Sequence, residues 1–263
     1  MEQVSLLALG LCACAASLSA QGGIVAVNGA SYTSLFPLAP GSYAQVFGTL
    51  TGNIPNADAN LAQLPLPDTL QGVQVQVEGV AARLYAVRAN VSGDQDSIAF
   101  VVPQTTQPGR RAVRVTLNGQ LAGEGSMDVV PSSPGIFFGR SAEGIDIGGV
   151  LNQANVFAVQ GTPAKRGEVV QIYLTGQGTG LSAAVPEGNV PPTGTLVRTT
   201  TDPEVYVSVD KAQVQFSGVH SQFPGLWQVN VIVPDKPYIR GPVPLRVSMN
   251  GVISNLVVFW VAE

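Results

Sequence analysis

The chain has 263 residues, 45% of them hydrophobic and 11% charged, with a formal net charge of −4. No run of Lys and Arg occurs that could neutralise a phosphate backbone, which argues against nucleic-acid binding, and so apolar a chain can offset its conformational entropy by burial and is not disordered. The 30 glycines and 19 prolines suit short strands joined by many turns better than a helical bundle.

Residues 4–20, VSLLALGLCACAASLSA, are apolar, end on small residues and are short for a membrane span. They read as a secretory signal peptide removed after Ala20. The segment lacks a basic start, since the first Lys or Arg is Arg83. An N-terminal hydrophobic strand is the alternative. A further variant treats Leu11-Cys12-Ala13-Cys14 as a lipobox, with Cys14 as a lipid anchor and the only route to a membrane. Cys12 and Cys14 are the only cysteines, so cleavage leaves a chain without disulfide or thiolate metal site.

Beyond the leader, strands announce themselves by alternation. In residues 73–80, VQVQVEGV, Val73, Val75 and Val77 point one way and Gln74, Gln76 and Glu78 the other. Residues 98–103 place Ile98, Phe100 and Val102 inside, residues 204–210 place Val205, Val207 and Val209 inside, and residues 228–234 place Val229, Val231 and Val233 inside. No long window has a helical period, so the fold class is all-β.

These strands come in two sets. Residues 41–47, GSYAQVF, match residues 167–173, GEVVQIY, 126 residues on. Val73, Val75 and Val77 match Val205, Val207 and Val209 at 132, Pro103 matches Pro234 at 131, and Asn118-Gly119 matches Asn250-Gly251 at 132. Asn-Gly pairs are turn signals between strands. The pattern predicts a duplicated module of immunoglobulin-sandwich size. It divides into a signal peptide (1–20), a first sandwich (21–132), a linker and lead-in strand (133–162) around the Pro/Gly/Ser-rich PSSPGIFFG, and a second sandwich (163–263). Val75 and Val207 are expected in equivalent buried sites.

Residues 24–32 (IVAVNGASY), 38–52 (LAPGSYAQVFGTLTG), 64–84, 133–137 (SPGIF), 150–180 (ending LTGQGTG), 225–234 (GLWQVNVIVP) and 250–258 (NGVISNLVV) form an ordered series. Together they resemble the Solibacter-type C-terminal domain, an uncharacterised module of acidobacterial secreted proteins. The resemblance departs around residues 90–100, where relatives more often carry a Gln-Ile-Asn strand start that survives here as Gln228-Val229-Asn230. It implies tandem IPT/TIG-like immunoglobulin sandwiches and export, and leaves function open.

Groups for chemistry are sparse, and no catalytic residue is assigned. The one histidine, His220, lies in the turn-like SGVHSQFPG without a nucleophile-elbow motif and reads as a solvated loop residue. One histidine with no mature cysteine excludes ordinary structural zinc. The oxygen-rich Asn56-Ala57-Asp58-Ala59-Asn60 and Gly93-Asp94-Gln95-Asp96-Ser97 lack the spacing of an EF-hand loop and read as solvated loop tips. Lys165, Lys211 and Lys236 lie near linker and turns, which speaks against isopeptide bonds. Trp227 and Trp260 are either core or a sugar-binding platform. No cofactor and no metal are expected, and the binding residues are unknown. The expectation is a non-enzymatic secreted or cell-surface module for adhesion or protein association. The alternative is a carbohydrate-binding protein for extracellular polysaccharide.

Overall fold

The computed structural model describes residues 23–262; the leader read at residues 4–20, with Cys12 and Cys14, lies outside them. Among the described residues there is no helix. The first half contains β1 (Gly23–Asn28), β2 (Tyr43–Gly48), β3 (Ala57–Asp58), β4 (Val73–Val77), β5 (Val80–Ala81), β6 (Arg83–Ser92), β7 (Gln95–Val101), β8 (Gly109–Leu117) and β9 (Gln120–Val129). The second contains β10 (Gly135–Ile136), β11 (Phe138–Arg140), β12 (Asp146–Gly148), β13 (Val150–Leu151), β14 (Val169–Thr175), β15 (Glu204–Val207), β16 (Asp210–Val219), β17 (Trp227–Ile232), β18 (Gly241–Met249), β19 (Val252–Ile253) and β20 (Val257–Val261).

The halves repeat one another's pairing. The first forms a nine-stranded sheet in the order β3-β6-β7-β2-β1-β9-β8-β4-β5, and the second an eleven-stranded one in which β14-β17-β16 continue through β15-β18-β20. Strand β1 joins two limbs, antiparallel to β2 and parallel to β9. Gly48 and Gly125 permit this, because a Cβ at either would collide with a β1 carbonyl, that of Gly23 or Ile24. In the second half β13 pairs antiparallel with β14 and β12 parallel with β20. The turn into β2 is repeated bond for bond. Gly41 N donates to Val102 O and Gly167 N to Val233 O, both at 2.8 Å, while Val102 N and Val233 N return bonds to Ser42 O and Glu168 O. Both glycines sit at positive φ, 74° and 78°, where a side chain would be strained.

Each sheet closes over its own core. Val46, Leu84, Ile98 and Phe100 of one limb meet Val75, Val113 and Val115 of the other, and Ile172, Val229 and Val231 meet Val205, Leu245 and Phe259. Alternation is visible in β4, β17 and β20, where every second residue is buried.

Two expectations are corrected. Val209 does not face the core and is 79% exposed. Strand β15 ends at Val207, which pairs with Asp210 across the two-residue turn Ser208-Val209. The matching turn in the first half is Glu78-Gly79, between Val77 and Val80. Glu78 and Ser208 take positive φ, 50° and 58°, the backbone that tight hairpins need. The equivalent core pairs are therefore Val75 with Val205, facing Val115 and Val247, and Val77 with Val207, facing Val113 and Leu245. The repeat offset here is two residues shorter than the alternation suggests.

Val207→Asp buries an unpaired carboxylate and should cost several kcal/mol, a large share of a domain's roughly 5–15 kcal/mol. Val209→Asp and Ser208→Asp, in the turn, should each stay within about 0.5 kcal/mol of the parent. Urea melts of the three variants decide between this register and the simple alternating one.

Candidate functional site

The outer face of β2, β6 and β7 is not solvated. Tyr85, Ala86, Ala99 and Val101 are buried there together with Leu66 of the preceding loop, so β7 is covered on both faces. The second half supplies part of the cover. The Thr175 hydroxyl, fully buried at the end of β14, accepts from Tyr43 N at 2.8 Å and donates to Gly225 O at 2.7 Å. The Tyr85 hydroxyl donates to Pro224 O at 2.6 Å. Burial pushes the Tyr85 phenol well above its usual range, so it stays a donor. The Tyr43 ring packs edge-on against Tyr85, with centroids 5.3 Å apart, and beside Phe137 at 5.8 Å.

The linker is equally fixed. Residues 132–136 are buried. Ser133 N donates to Gly176 O at 2.7 Å, Asn28 Nδ2 donates to Ser133 O at 3.1 Å, and Ser133 Oγ donates to Pro37 O at 2.6 Å. Asn255 clamps Ile136 at two points, accepting from its N–H and donating to its carbonyl. The glycines of the Gly176-Gln177-Gly178 turn, at φ 94° and 77°, admit the linker, because a Cβ on either would strike the carbonyl of Ser133 or Pro131.

Above this junction lies a cleft of about 300 Å³, lined from the first half by Gly41, Val101 and Gln104 and otherwise by the second half. One wall is the loop between β14 and β15, tied to the first half by Gln104 N donating to Glu187 Oε1 at 2.7 Å, Gln104 Nε2 donating to Val185 O at 3.1 Å, and Leu66 N donating to Gly188 O at 2.8 Å. The residues lining the cleft include no Asp, Glu, Lys or Arg. Gln177 lines it at 4% exposure, and its Oε1 is buried without a hydrogen-bond partner.

His220 also lines the cleft, and this corrects its reading as a solvated loop residue. It is half-buried, stacked on Phe223 with ring centres 5.5 Å apart and edge-on to Tyr173 at 5.7 Å. Its Nδ1 accepts from Gln222 N at 3.1 Å. Burial pushes the imidazole below its usual value, so it is neutral at pH 7 with the remaining proton on Nε2. No signal in the sequence marked Gln177.

The other residues weighed in the sequence lie elsewhere. Trp227 is fully buried and donates from Nε1 to Ser217 Oγ at 2.9 Å. Trp260 is half-buried on β20, opposite the core-facing Val257, Phe259 and Val261. Among the described residues Tyr238 is the aromatic left exposed, at 56%, so no row of tryptophans is presented. Asp96 is not a solvated loop tip. It is buried on β7 and accepts from Leu50 N and Asn90 N. Asn56 Oδ1 accepts from Ala89 N, and Asp58 pairs with Arg88. Lys211 belongs to β16, where it is exposed and pairs with Glu204 at 2.6 Å. Among the described residues no three of His, Cys, Asp or Glu converge as a metal site would need.

The chain matches no protein-family model and no curated protein sequence. Solved structures similar to it include domains 5–6 of the S-layer protein SbsC, at 14% identity over 92% of this chain and 99% of that one, with a TM-score of 0.23. A longer SbsC structure, domains 4–9, matches at 11% identity over 92% of this chain and 31% of that one, with a TM-score of 0.25. A tandem pair of titin Ig domains matches at 8% identity over 86% and 93%, with a TM-score of 0.21. At these TM-scores the likeness carries no structural argument, and the all-β architecture rests on the strand pairing above.

Tyr85→Phe orphans the Pro224 carbonyl, and Thr175→Val orphans both Tyr43 N and Gly225 O. Each should lower stability by about 1–3 kcal/mol, read by denaturant titration with unchanged circular dichroism. The His220 site predicts a pH effect. An unfolded chain takes up a proton near pH 6.5, while the buried imidazole resists it, so stability present at pH 7 falls as pH drops below about 6.5. Melting temperatures from neutral to mildly acidic pH should fall less for His220→Gln than for the parent.

Proposed function

We propose that the chain is an exported pair of immunoglobulin-like modules, divided near residues 133–162, which serves without catalysis as a rigid structural or protein-binding part of the cell surface. The observation that supports this best is the junction. A buried linker clamped by Asn28, Ser133 and Asn255, beside a buried tyrosine–carbonyl bond, suits a part that holds two modules at one fixed geometry. Strands with polar outward residues, such as Gln74 and Gln76 of β4, suit an aqueous surface. The leader at residues 4–20 is the argument for export, and Cys14 for an optional lipid anchor. The ordered motifs at residues 24–52, 133–137 and 225–258 are the argument for a Solibacter-type, acidobacterial module. An extracellular protein is the partner that a rigid spacer without a tryptophan platform fits better than a polysaccharide.

Fractionation of the native host is the test. The protein should occur in the envelope or the medium, its intact mass lacking residues 1–20, and cross-linking on whole cells should recover an extracellular protein. Recovery from the cytosol with Met1 retained overturns the export reading.

A further inference from the structure

We propose that the outer face of β18 and β20 docks an extended apolar segment of another protein, one that brings a carboxylate to Arg246. The inference rests on the protein-binding part of the functional reading and gives that reading a surface.

The duplicated frame supplies the comparison. In the first half Arg110 opposes Asp128 and Ala112 opposes Ser126; in the second Pro242 opposes Trp260 and Pro244 opposes Val258. On both sheets these residues point away from the core, which takes their neighbours Met127 and Val129, or Phe259 and Val261, instead. The outward face of β8 and β9 is charged and polar, as a solvated face should be. At the same register the second half carries proline, valine and tryptophan, and Leu256 stands where the first half has Glu124. None of this is withdrawn from water: Pro242 and Pro244 are exposed, Val258 and Trp260 half-buried, and Leu256 is 62% exposed. An exposed contiguous apolar surface marks an interaction site, and here the sister module shows that the fold does not require one.

Charge selects the partner. In the first half Arg114 pairs with Glu124 at 3.7 Å. Its counterpart Arg246 keeps the cation, while Leu256 has replaced the carboxylate. The Arg246 guanidinium lies over the Tyr206 ring, 5.0 Å from its centroid, and among the described residues no carboxylate pairs with it. Glu204, two residues from Tyr206, is already bonded to Lys211 at 2.6 Å and to the Tyr206 hydroxyl. An acidic side chain on the partner completes the lost pair, and the apolar contacts around it shield that pair from water and salt. Size limits the partner as well. A sheet gives each residue roughly 30 Å² of one face, so the positions named cover about 200 Å², far below the roughly 800 Å² per partner of a standard interface between folded proteins. That area suits a short segment better than a second copy of the chain. Strand β18 pairs with β15 only from Leu245 onward, so at Pro242 and Pro244 it is an edge. Prolines offer no N–H to an added strand, and the segment therefore lies across the face instead of extending the sheet.

The experiment pans a phage-displayed library of short random peptides on the full chain, then titrates the enriched peptides, synthesised, by calorimetry. They should carry Asp or Glu among apolar residues. Leu256→Glu, which gives Arg246 the internal partner that Arg114 has, and Trp260→Asp, which installs the first half's residue at the same register, should each weaken binding at least tenfold. Both should melt near the parent temperature, because each copies a residue that the sister sheet already carries. Arg246→Glu should lose the acidic peptide and bind the same peptide with Lys in place of its acid. In the parent protein the Trp260 indole resonance should shift along the saturation curve, a readout that does not require any variant to fold. No enrichment, enriched peptides without an acid, an unmoved Trp260 resonance, or a dimer in sedimentation that Trp260→Asp abolishes overturns the proposal. Peptides that bind Leu256→Glu and Trp260→Asp as tightly as the parent overturn this face and leave the protein-binding reading standing, while recovery of the protein from the cytosol overturns export and leaves the face standing.

Discussion

The joint arrangement of the two halves depends on one buried hydroxyl. Thr175 closes β14 and stands where two backbone groups from different parts of the chain, Tyr43 N and Gly225 O, are withdrawn from water. Each of those groups needs a partner, since an orphaned buried amide or carbonyl costs more than a typical hydrogen bond contributes. A hydroxyl serves both at once because it accepts and donates. Around it the same requirement is met repeatedly: Tyr85 for Pro224 O, Asn28 for Ser133 O, Asn255 for both backbone groups of Ile136. The junction is therefore ordered by polar satisfaction as much as by apolar contact, and this is why its geometry is specific.

The pairing that both halves share accounts for the scaffold, and the segment in which they differ accounts for the cleft. Both halves use glycine at the entry to the β2-type strand and a positive-φ residue at the β4-type hairpin. They differ in the segment that leaves the C-terminal end of β2 or β14. In the first half residues 49–72 include β3, which pairs back onto β6. In the second, residues 176–203 reach across to Gln104 and Leu66 and form the wall that carries Gln177.

Much of the fold was legible in residues 73–77, 228–232 and 257–261, because a half-buried strand writes its geometry as alternation. The legibility failed where tertiary contact or turn geometry overrides local pattern. Val209 continues the period-two run of Val205 and Val207, yet a hairpin at Ser208 takes a positive φ without glycine, which a residue pattern does not reveal. Ala99 and Val101 read as the outward face of β7 and are buried at 5% and 3%, because Leu66 and Tyr43, more than 30 positions away, pack on that face with Tyr85. His220 reads as loop for the same reason, since its neighbours Tyr173 and Phe223 include a residue of a different strand. Gln177 was visible only as part of a glycine-rich turn, and burial is what distinguishes it.

The two-sided burial of β7 also bears on synthesis. A chain is made from its N-terminus, so the residues of β1 to β9 are synthesised before Thr175 and Pro224. In that interval Tyr85 lacks its Pro224 acceptor, Tyr43 N lacks Thr175 and Val101 lacks the part of its cover that the second half supplies. The polar and apolar groups left open on the first half are thus the ones that the later-made half goes on to cover.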